Sequence, residues 1–327
     1  MLDNTVSELV QRVRDITDED NITDISDALI IRMLNRAQQE LVRTLTKRYN
    51  NHFMREEIFS TTSLTADANG QSRVLKISDQ AFGFAVNSVE AKQGDGWFAV
   101  NQVPFSYTLG LDNSSGASIP LSYAMQGQKV FLFPTPGTGV QIRIRYQFRA
   151  PKLVASQGRI TAFNATTETV TLDAIGSSLS TSVDNLTAFI NIIDHLTGEI
   201  KATVQIASGI GSTNKTLQIT TGTPDRTEVF GYTTTAVLPS NIALDDYVCA
   251  ADGTTVPLLS HDLTNYLVDI AGFYVKRKLG IVDAADFADR DDIIKSIEGM
   301  HFGRQSTKKI ERRGSGNYSW QPWFRGS

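Results

Sequence analysis

Apolar residues at Val6, Leu9, Val10, Val13 and Ile16 recur at three- and four-residue spacing, which places them on one face of a helix. A break rich in acidic and capping residues follows from Thr17 to Asp24. A second helix is predicted from about Ser26 to Arg48, with Ile30, Ile31, Leu34, Ala37, Leu41, Val42 and Leu45 on its stripe. At 1.5 Å per residue it spans roughly 33 Å, which suits a wall or strut better than a small catalytic domain. From Phe53 the period changes to two. Strands are predicted at Glu57–Thr62, Arg73–Ile77, Ala85–Ala91 and Trp97–Val100, each bounded by Gly, Asn, Asp or Pro. Lys129–Phe133 and Val140–Phe148 are expected to pair as a hairpin across Pro134-Thr135-Pro136-Gly137-Thr138-Gly139. In Gln141-Ile142-Arg143-Ile144-Arg145-Tyr146 strict alternation buries one face and leaves arginines on the other.

From about Ala155 to Pro257 threonine, serine, glycine and β-branched residues dominate and charge thins out. Arg159–Phe163 turns through Asn164–Thr167 into Thr169–Leu172, and Ala202–Ile206 turns through a Gly/Asn-rich loop into Thr216–Ile219. Short strands at such intervals predict a separately packed small barrel or sandwich. Helices return at Ser260, where Leu263, Tyr266, Leu267, Ile270, Tyr274 and Leu279 form a stripe ended by Gly280 in the C′ position. A last helix starts near Asp283 and carries Phe287, Ile294, Ile297 and Met300. The pattern disappears after Gly303.

The expected fold class is therefore α+β. Residues 1–154 supply N-terminal helices and a β-sheet segment, 155–257 an inserted β domain, and 258–303 the helices that complete a helical bundle core. Residues 304–327 form an extended arm. The simplest assembly packs four helices together, with both β segments looping out of that core.

Composition narrows the function. The chain has 327 residues, a formal charge of −4 and one cysteine, Cys249, so it offers no internal disulfide, no Cys/His zinc cluster and no global attraction to nucleic acid. The N-terminus runs into an amphipathic pattern without a basic n-region or apolar h-region, so no signal peptide is expected. No apolar run approaches the ~20 residues of a membrane span.

Tests for chemistry return little. Gly209 and Gly211 form a bare G-x-G with no Gly-Lys-Ser/Thr anywhere after it. Asp18-Glu19-Asp20-Asn21 fails as a calcium loop, because Ile22 and Thr23 stand where an oxygen ligand and a glycine are needed. His52, His195, His261 and His301 are scattered, and Ser260 lacks the elbow of a hydrolase. The Asp289–Asp292 cluster reads as helix-start carboxylates, and Asp245 and Asp246 as a strand-flanking turn. No catalytic residue, metal or cofactor is assigned, and the chain is read as a structural protein rather than an enzyme.

The tail is different. Arg304, Lys308, Lys309, Arg312, Arg313 and Arg325 face Glu311 alone, and Tyr318, Trp320, Trp323 and Phe324 are interleaved after them. Such a segment can bind nucleic acid by phosphate contacts and stacking, can be an inert end, or can order on a protein partner. Composition favours the third, since Trp, Tyr and Arg most often anchor interfaces and Gly314-Ser315-Gly316 offers a hinge.

Three stretches resemble the head-to-tail connector, or portal adaptor, proteins of short-tailed bacteriophages. They are the helix Leu29–Leu41; the hairpin Tyr123–Pro136 with Ile142–Tyr146 and Ala150–Val154; and the helix Leu263–Tyr274. The resemblance implies a virion structural protein at the head-tail interface, assembled in the host cytoplasm as a ring of twelve copies under the portal protein. Its C-terminal arms dock on the portal, the ring continues the DNA channel with DNA only as passing cargo, and tail or nozzle proteins attach below. No membrane is involved. The segment Ala155–Pro257 departs from the smaller adaptors, which often have a short connection there. The runner-up reading is a tail-associated carbohydrate-binding or cell-wall-acting protein, for which Phe163, Phe189, Phe230 and Tyr247 are too dispersed to define a platform. A third is a nucleic-acid-binding protein.

Overall fold

A computed structural model describes residues 4–17, 25–48, 53–61, 64–78, 81–110, 119–176, 189–208, 215–224, 228–229 and 232–302. Helix α1 (Val6–Thr17) opens on a capping box. The Thr5 backbone N–H donates to the Glu8 carboxylate at 2.8 Å, and the Glu8 N–H returns to the Thr5 hydroxyl at 3.3 Å. Helix α2 (Asp27–Arg48) is tied to α1 by Arg14, whose buried guanidinium reaches the Ile25 carbonyl at 2.8 Å and the Asp27 carboxylate at 2.7 Å. Helix α3 (His261–Leu279) ends as expected at Gly280, at φ 76°, with the Ile281 N–H closing on the Lys276 carbonyl at 3.1 Å. Helix α4 (Ala284–Phe302) follows. These four helices, among the described residues, share one buried cluster that includes Leu9, Val13, Leu34, Leu41, Leu267, Ile270 and Ile297. Ile16, the last residue of the predicted α1 stripe, lies at its margin, 40% exposed.

Eight strands form the first sheet: β1 (Met54–Ser60), β2 (Thr65–Ala66), β3 (Ser72–Lys76), β4 (Ala81–Gln93), β5 (Gly96–Gln102), β6 (Ser122–Gln126), β7 (Lys129–Phe133) and β8 (Gln141–Phe148). Their order is β1-β8-β4-β5-β6-β7-β3-β2. The alternation in β8 holds: Ile142, Ile144 and Tyr146 are buried, while Arg143 and Arg145 face the other way. The expected β7–β8 hairpin does not. β7 pairs with β6 through Gly127-Gln128 and with β3, and β8 lies between β1 and β4. The Pro134–Gly139 stretch is thus a crossover spanning three intervening strands, and its turn residues punctuate the chain without closing a hairpin.

The threonine-rich segment forms β10 (Gly158–Asn164), β11 (Thr169–Leu172), β12 (Phe189–Ile193), β13 (Ile200–Ser208), β14 (Thr216–Ile219) and β17 (Tyr247–Ala250). Pairings β12–β17, β17–β10, β10–β11, β11–β14, β14–β13 and β13–β12 close them into a six-stranded barrel. Its inward positions, among them Ile160, Val170, Ile190, Val204, Leu217 and Val248, fill the interior. Both expected hairpins are present, the first with an Asn164 side chain accepting the Thr166 N–H at 2.9 Å. Strands β15 (Glu228–Val229) and β16 (Tyr232–Thr235) extend one side of the barrel.

Burial is therefore divided. A helical cluster, a cluster under the first sheet and a cluster inside the barrel each carry apolar residues at or near zero exposure. The expectation that the β segments loop out of a helical core understated them. Among the described residues the chain is mixed α and β with its own core in each β segment, because alternating Val, Ile and Leu on a closed or curved sheet can bury one another without a helix.

The chain passes between helices and barrel through a short neck. Strands β9 (Lys152–Leu153) and β18 (Gly253–Thr254) pair in parallel, and the Val154 N–H reaches the Thr254 carbonyl at 2.9 Å. Asn35 of α2 acts as the next strand: its side chain accepts the Leu153 N–H and donates to the Leu153 carbonyl, both at 2.8 Å. Gln38 donates to the Pro151 carbonyl at 2.8 Å, and the Val6 N–H to the Thr255 carbonyl at 2.8 Å.

Candidate functional site

The expected docking arm, Arg304, Lys308, Lys309, Arg312, Arg313, Tyr318, Trp320, Trp323 and Phe324, lies outside the described residues. The helix that leads to it is well anchored. The Phe287 ring of α4 meets Phe273 of α3 edge-on at 5.2 Å, and Lys276 pairs with Asp286 at 3.1 Å. Arg290 lies over the Phe273 ring at 5.4 Å and bonds to Glu40 of α2. Glu40 also receives the Tyr274 hydroxyl, and burial together with that carboxylate raises the Tyr274 pKa.

Beside this anchor runs a groove of about 820 Å³, lined by Arg36, Gln39, Val42, Arg43, Arg149, Ala150 and Tyr274 among others. The Arg36 guanidinium lies 4.2 Å from the Tyr274 ring centroid. With Glu40 engaged by Arg290 and Tyr274, the groove is left positive.

The first sheet carries a second charged surface. Arg143 and Arg145 interleave with Glu90 and Glu56: Arg143 Nε to Glu90 at 2.7 Å, Arg145 Nε to Glu56 at 2.9 Å, Arg145 to Glu90 at 3.0 Å. Arg143 also covers the Trp97 ring at 4.3 Å. These charges satisfy one another across neighbouring strands.

At the barrel rim, Asp194, His195 and Asp246 come within reach of one another, a juxtaposition of carboxylates and imidazole that sequence reasoning missed. Asp246 is fully buried. It accepts Lys201 Nζ at 2.8 Å, His195 Nδ1 at 3.0 Å and the Ala243 N–H at 2.8 Å. Lys201 also pairs with Asp194 at 3.0 Å. Burial disfavours the charge on Asp194, but backbone N–H groups of Thr197 and Leu196 and the Lys201 ammonium outweigh it and hold its pKa at about 2. The Lys201 ammonium thus occupies the place a metal would take, and the group reads as an anchor for the loops at one end of the barrel. The one signal for it in sequence is a lysine inside a strand otherwise rich in Ile, Ala and Val.

Other candidates resolve as packing. Cys249 is buried, and burial raises its thiol well above the ordinary range. Phe189 and Tyr247 are buried, and Phe163 is exposed; Phe230, Gly209, Gly211, His52 and the Asp18–Asn21 stretch lie outside the described residues. The Asp289–Asp292 cluster lies in the second and third turns of α4 and not, as expected, at its start, because Asp283 and Asp286 cap that end; Asp292 pairs with Lys295 at 2.9 Å. Among the described residues no helix is long and apolar enough to cross a membrane.

A family model described as SU10 adaptor protein matches residues 4–175, which takes in α1, α2, the whole first sheet and the first two barrel strands. No curated protein matches the chain.

Proposed function

We propose, from the premise that this chain belongs to the SU10 adaptor protein family, that it is the ring-forming subunit joining the phage head to its tail. Membership makes it a structural adaptor of a bacteriophage particle and a partner of other head and tail proteins. The finer reading is that copies assemble as a twelve-membered ring on the portal protein of a short-tailed phage, continue the DNA channel and receive tail or nozzle proteins below. The chain acts by docking and not by catalysis. The match over α1, α2 and the first sheet is the observation that carries this reading. The charge census supports it: Lys201 engages the Asp194 and Asp246 carboxylates, Asp246 holds the His195 imidazole, and the positive groove beside α2 offers a surface rather than a reaction centre.

Portal contact is assigned to the arm after Gly303. Trp320, Trp323 and Phe324 fill apolar pockets at about 2 kcal/mol or more each, and Arg312, Arg313 and the neighbouring lysines speed encounter with acidic surface. Ending the chain at Gly303 is expected to leave the circular dichroism spectrum and melting nearly unchanged while abolishing capture by immobilised portal. Trp320→Ala with Trp323→Ala is expected to leave the association rate near that of the parent and to raise the dissociation rate at least tenfold. Normal portal affinity in the truncated chain would overturn the assignment of the arm, and absence of portal capture by the parent would overturn the adaptor reading.

A further inference from the structure

The α2 side of the groove presents a stripe of guanidinium groups. Arg36 and Arg43 line it, Arg32 continues their helical face one turn beyond it, Arg149 joins them across the groove, and all four are exposed. Arg32, Arg43 and Arg149 have no ion-pair partner among the described residues, in a chain whose net charge is −4. The floor between them is apolar and aromatic, from Val42, Ala150 and Tyr274. A different surface of the same helical layer carries the complement. On the outer face of α4, exposed Ala285, Ala288, Asp289 and Asp292 lie one turn apart, with Asp289 unpaired among the described residues and Asp292 72% exposed and held by the equally exposed Lys295 at 2.9 Å.

We infer that the basic groove of one copy receives the acidic outer face of α4 from the next copy. The two patches are different surfaces of one protomer, so the contact is heterologous and propagates around a ring instead of stopping at a dimer. The arrangement matches charge to charge, and the small alanines of α4 let the helix approach the apolar floor. A polyanion such as duplex DNA would use the arginines without the apolar floor, which makes it the less complete occupant. The inference rests on the ring proposed above and names the surfaces that close it.

The test is a charge swap read on the full-length protein with purified portal, by mass photometry and negative-stain microscopy. Arg43→Glu with Arg149→Glu makes the groove acidic; Asp289→Lys with Asp292→Lys makes the α4 face basic. Each double variant alone repels its own copies and is expected to give portal carrying scattered single subunits in place of complete rings. An equimolar mixture of the two restores both contacts, acidic groove to basic helix and basic groove to acidic helix, and is expected to give rings of alternating subunits. That rescue also shows that both variants fold. Complete rings from either variant alone, or no rescue on mixing, would overturn the interface while leaving the adaptor reading in place. Normal rings from the groove variant together with loss of salt-sensitive retention on duplex DNA would transfer the groove to nucleic acid. A parent chain that forms no ring on portal would remove the ring and this interface together.

Discussion

Replacing Asn35 with alanine strips the neck of the side chain that stands in for a β-strand. Its Oδ1 accepts the Leu153 N–H and its Nδ2 donates to the Leu153 carbonyl, both at 2.8 Å, and Leu153 is fully buried. The substitution leaves one donor and one acceptor without partners, at about 1–3 kcal/mol for each unsatisfied buried group. Asn35 is itself half-buried, so water reaches part of the gap, and the expected loss is about 2–4 kcal/mol. Gln38→Ala removes a single bond to the Pro151 carbonyl and is expected to cost about 1 kcal/mol. Asn35→Asp keeps the acceptor but turns a charged oxygen toward the Leu153 carbonyl, so it is expected to cost at least as much as alanine. Urea unfolding of chains ending at Gly303 measures all three, because Trp97, stacked beneath Arg143, is then the sole tryptophan. The midpoints should fall with the slope unchanged. Asn35→Ala within about 0.5 kcal/mol of the parent, or Asn35→Asp at parent stability, would refute the claim that this side chain holds the neck.

Three further outcomes follow from the same region and the barrel. A Cβ on Gly253 would stand 2.2 Å from the Lys152 carbonyl oxygen, so Gly253→Ala must part β9 from β18 and is expected to cost about 1–3 kcal/mol in the same unfolding assay. The Asp194 pKa is held at about 2 against an ordinary 3.8, so its contribution to stability is complete above pH 4 and lost as pH falls toward 2; Asp194→Asn should flatten the pH dependence of the unfolding midpoint in that window, and an unchanged slope would refute it. Since Gly158 pairs with Val248 and Leu153 with Thr254, the barrel leaves and rejoins the chain on adjacent strands, and replacing residues 158–250 with a short Gly/Ser linker is expected to keep the helices and first sheet cooperatively folded by circular dichroism, whereas loss of the whole fold would show the barrel to be integral.

What was legible in the sequence was what is local. The α1 and α3 stripes follow from three- and four-residue spacing; the Thr5–Glu8 capping box of α1 is equally local but was not read from the sequence, whereas the end of α3 follows from Gly280. The β10–β11 turn followed from Asn164 in the same way. Strand pairing is a different problem. The alternation in β8 correctly predicts which face is buried, but period two carries no information about the neighbour, and a Pro/Gly-rich link serves a crossover as well as a hairpin. The contacts that define the neck and the barrel rim were equally hidden, since Asn35 meets Leu153 across 118 positions and Lys201 meets Asp246 across 45. A half-buried amide in a helix and a lysine within a strand are the traces such contacts leave.

After Gly303 the sequence offers composition without an apolar period, so it names candidate contact residues and no element. Charge compensation separates the surfaces of the folded part. Arg143 and Arg145 are neutralised by Glu56 and Glu90 on adjacent strands, Arg14 by Asp27, and Lys201 by Asp194 and Asp246. Those cations serve the chain that carries them, and reversing one would be felt as lost stability. Arg43 and Arg149 make no such pair among the described residues, so reversing them is expected to cost the monomer little and to change what the surface attracts. A protein whose work is assembly places its uncompensated charge where another molecule must supply the counterpart.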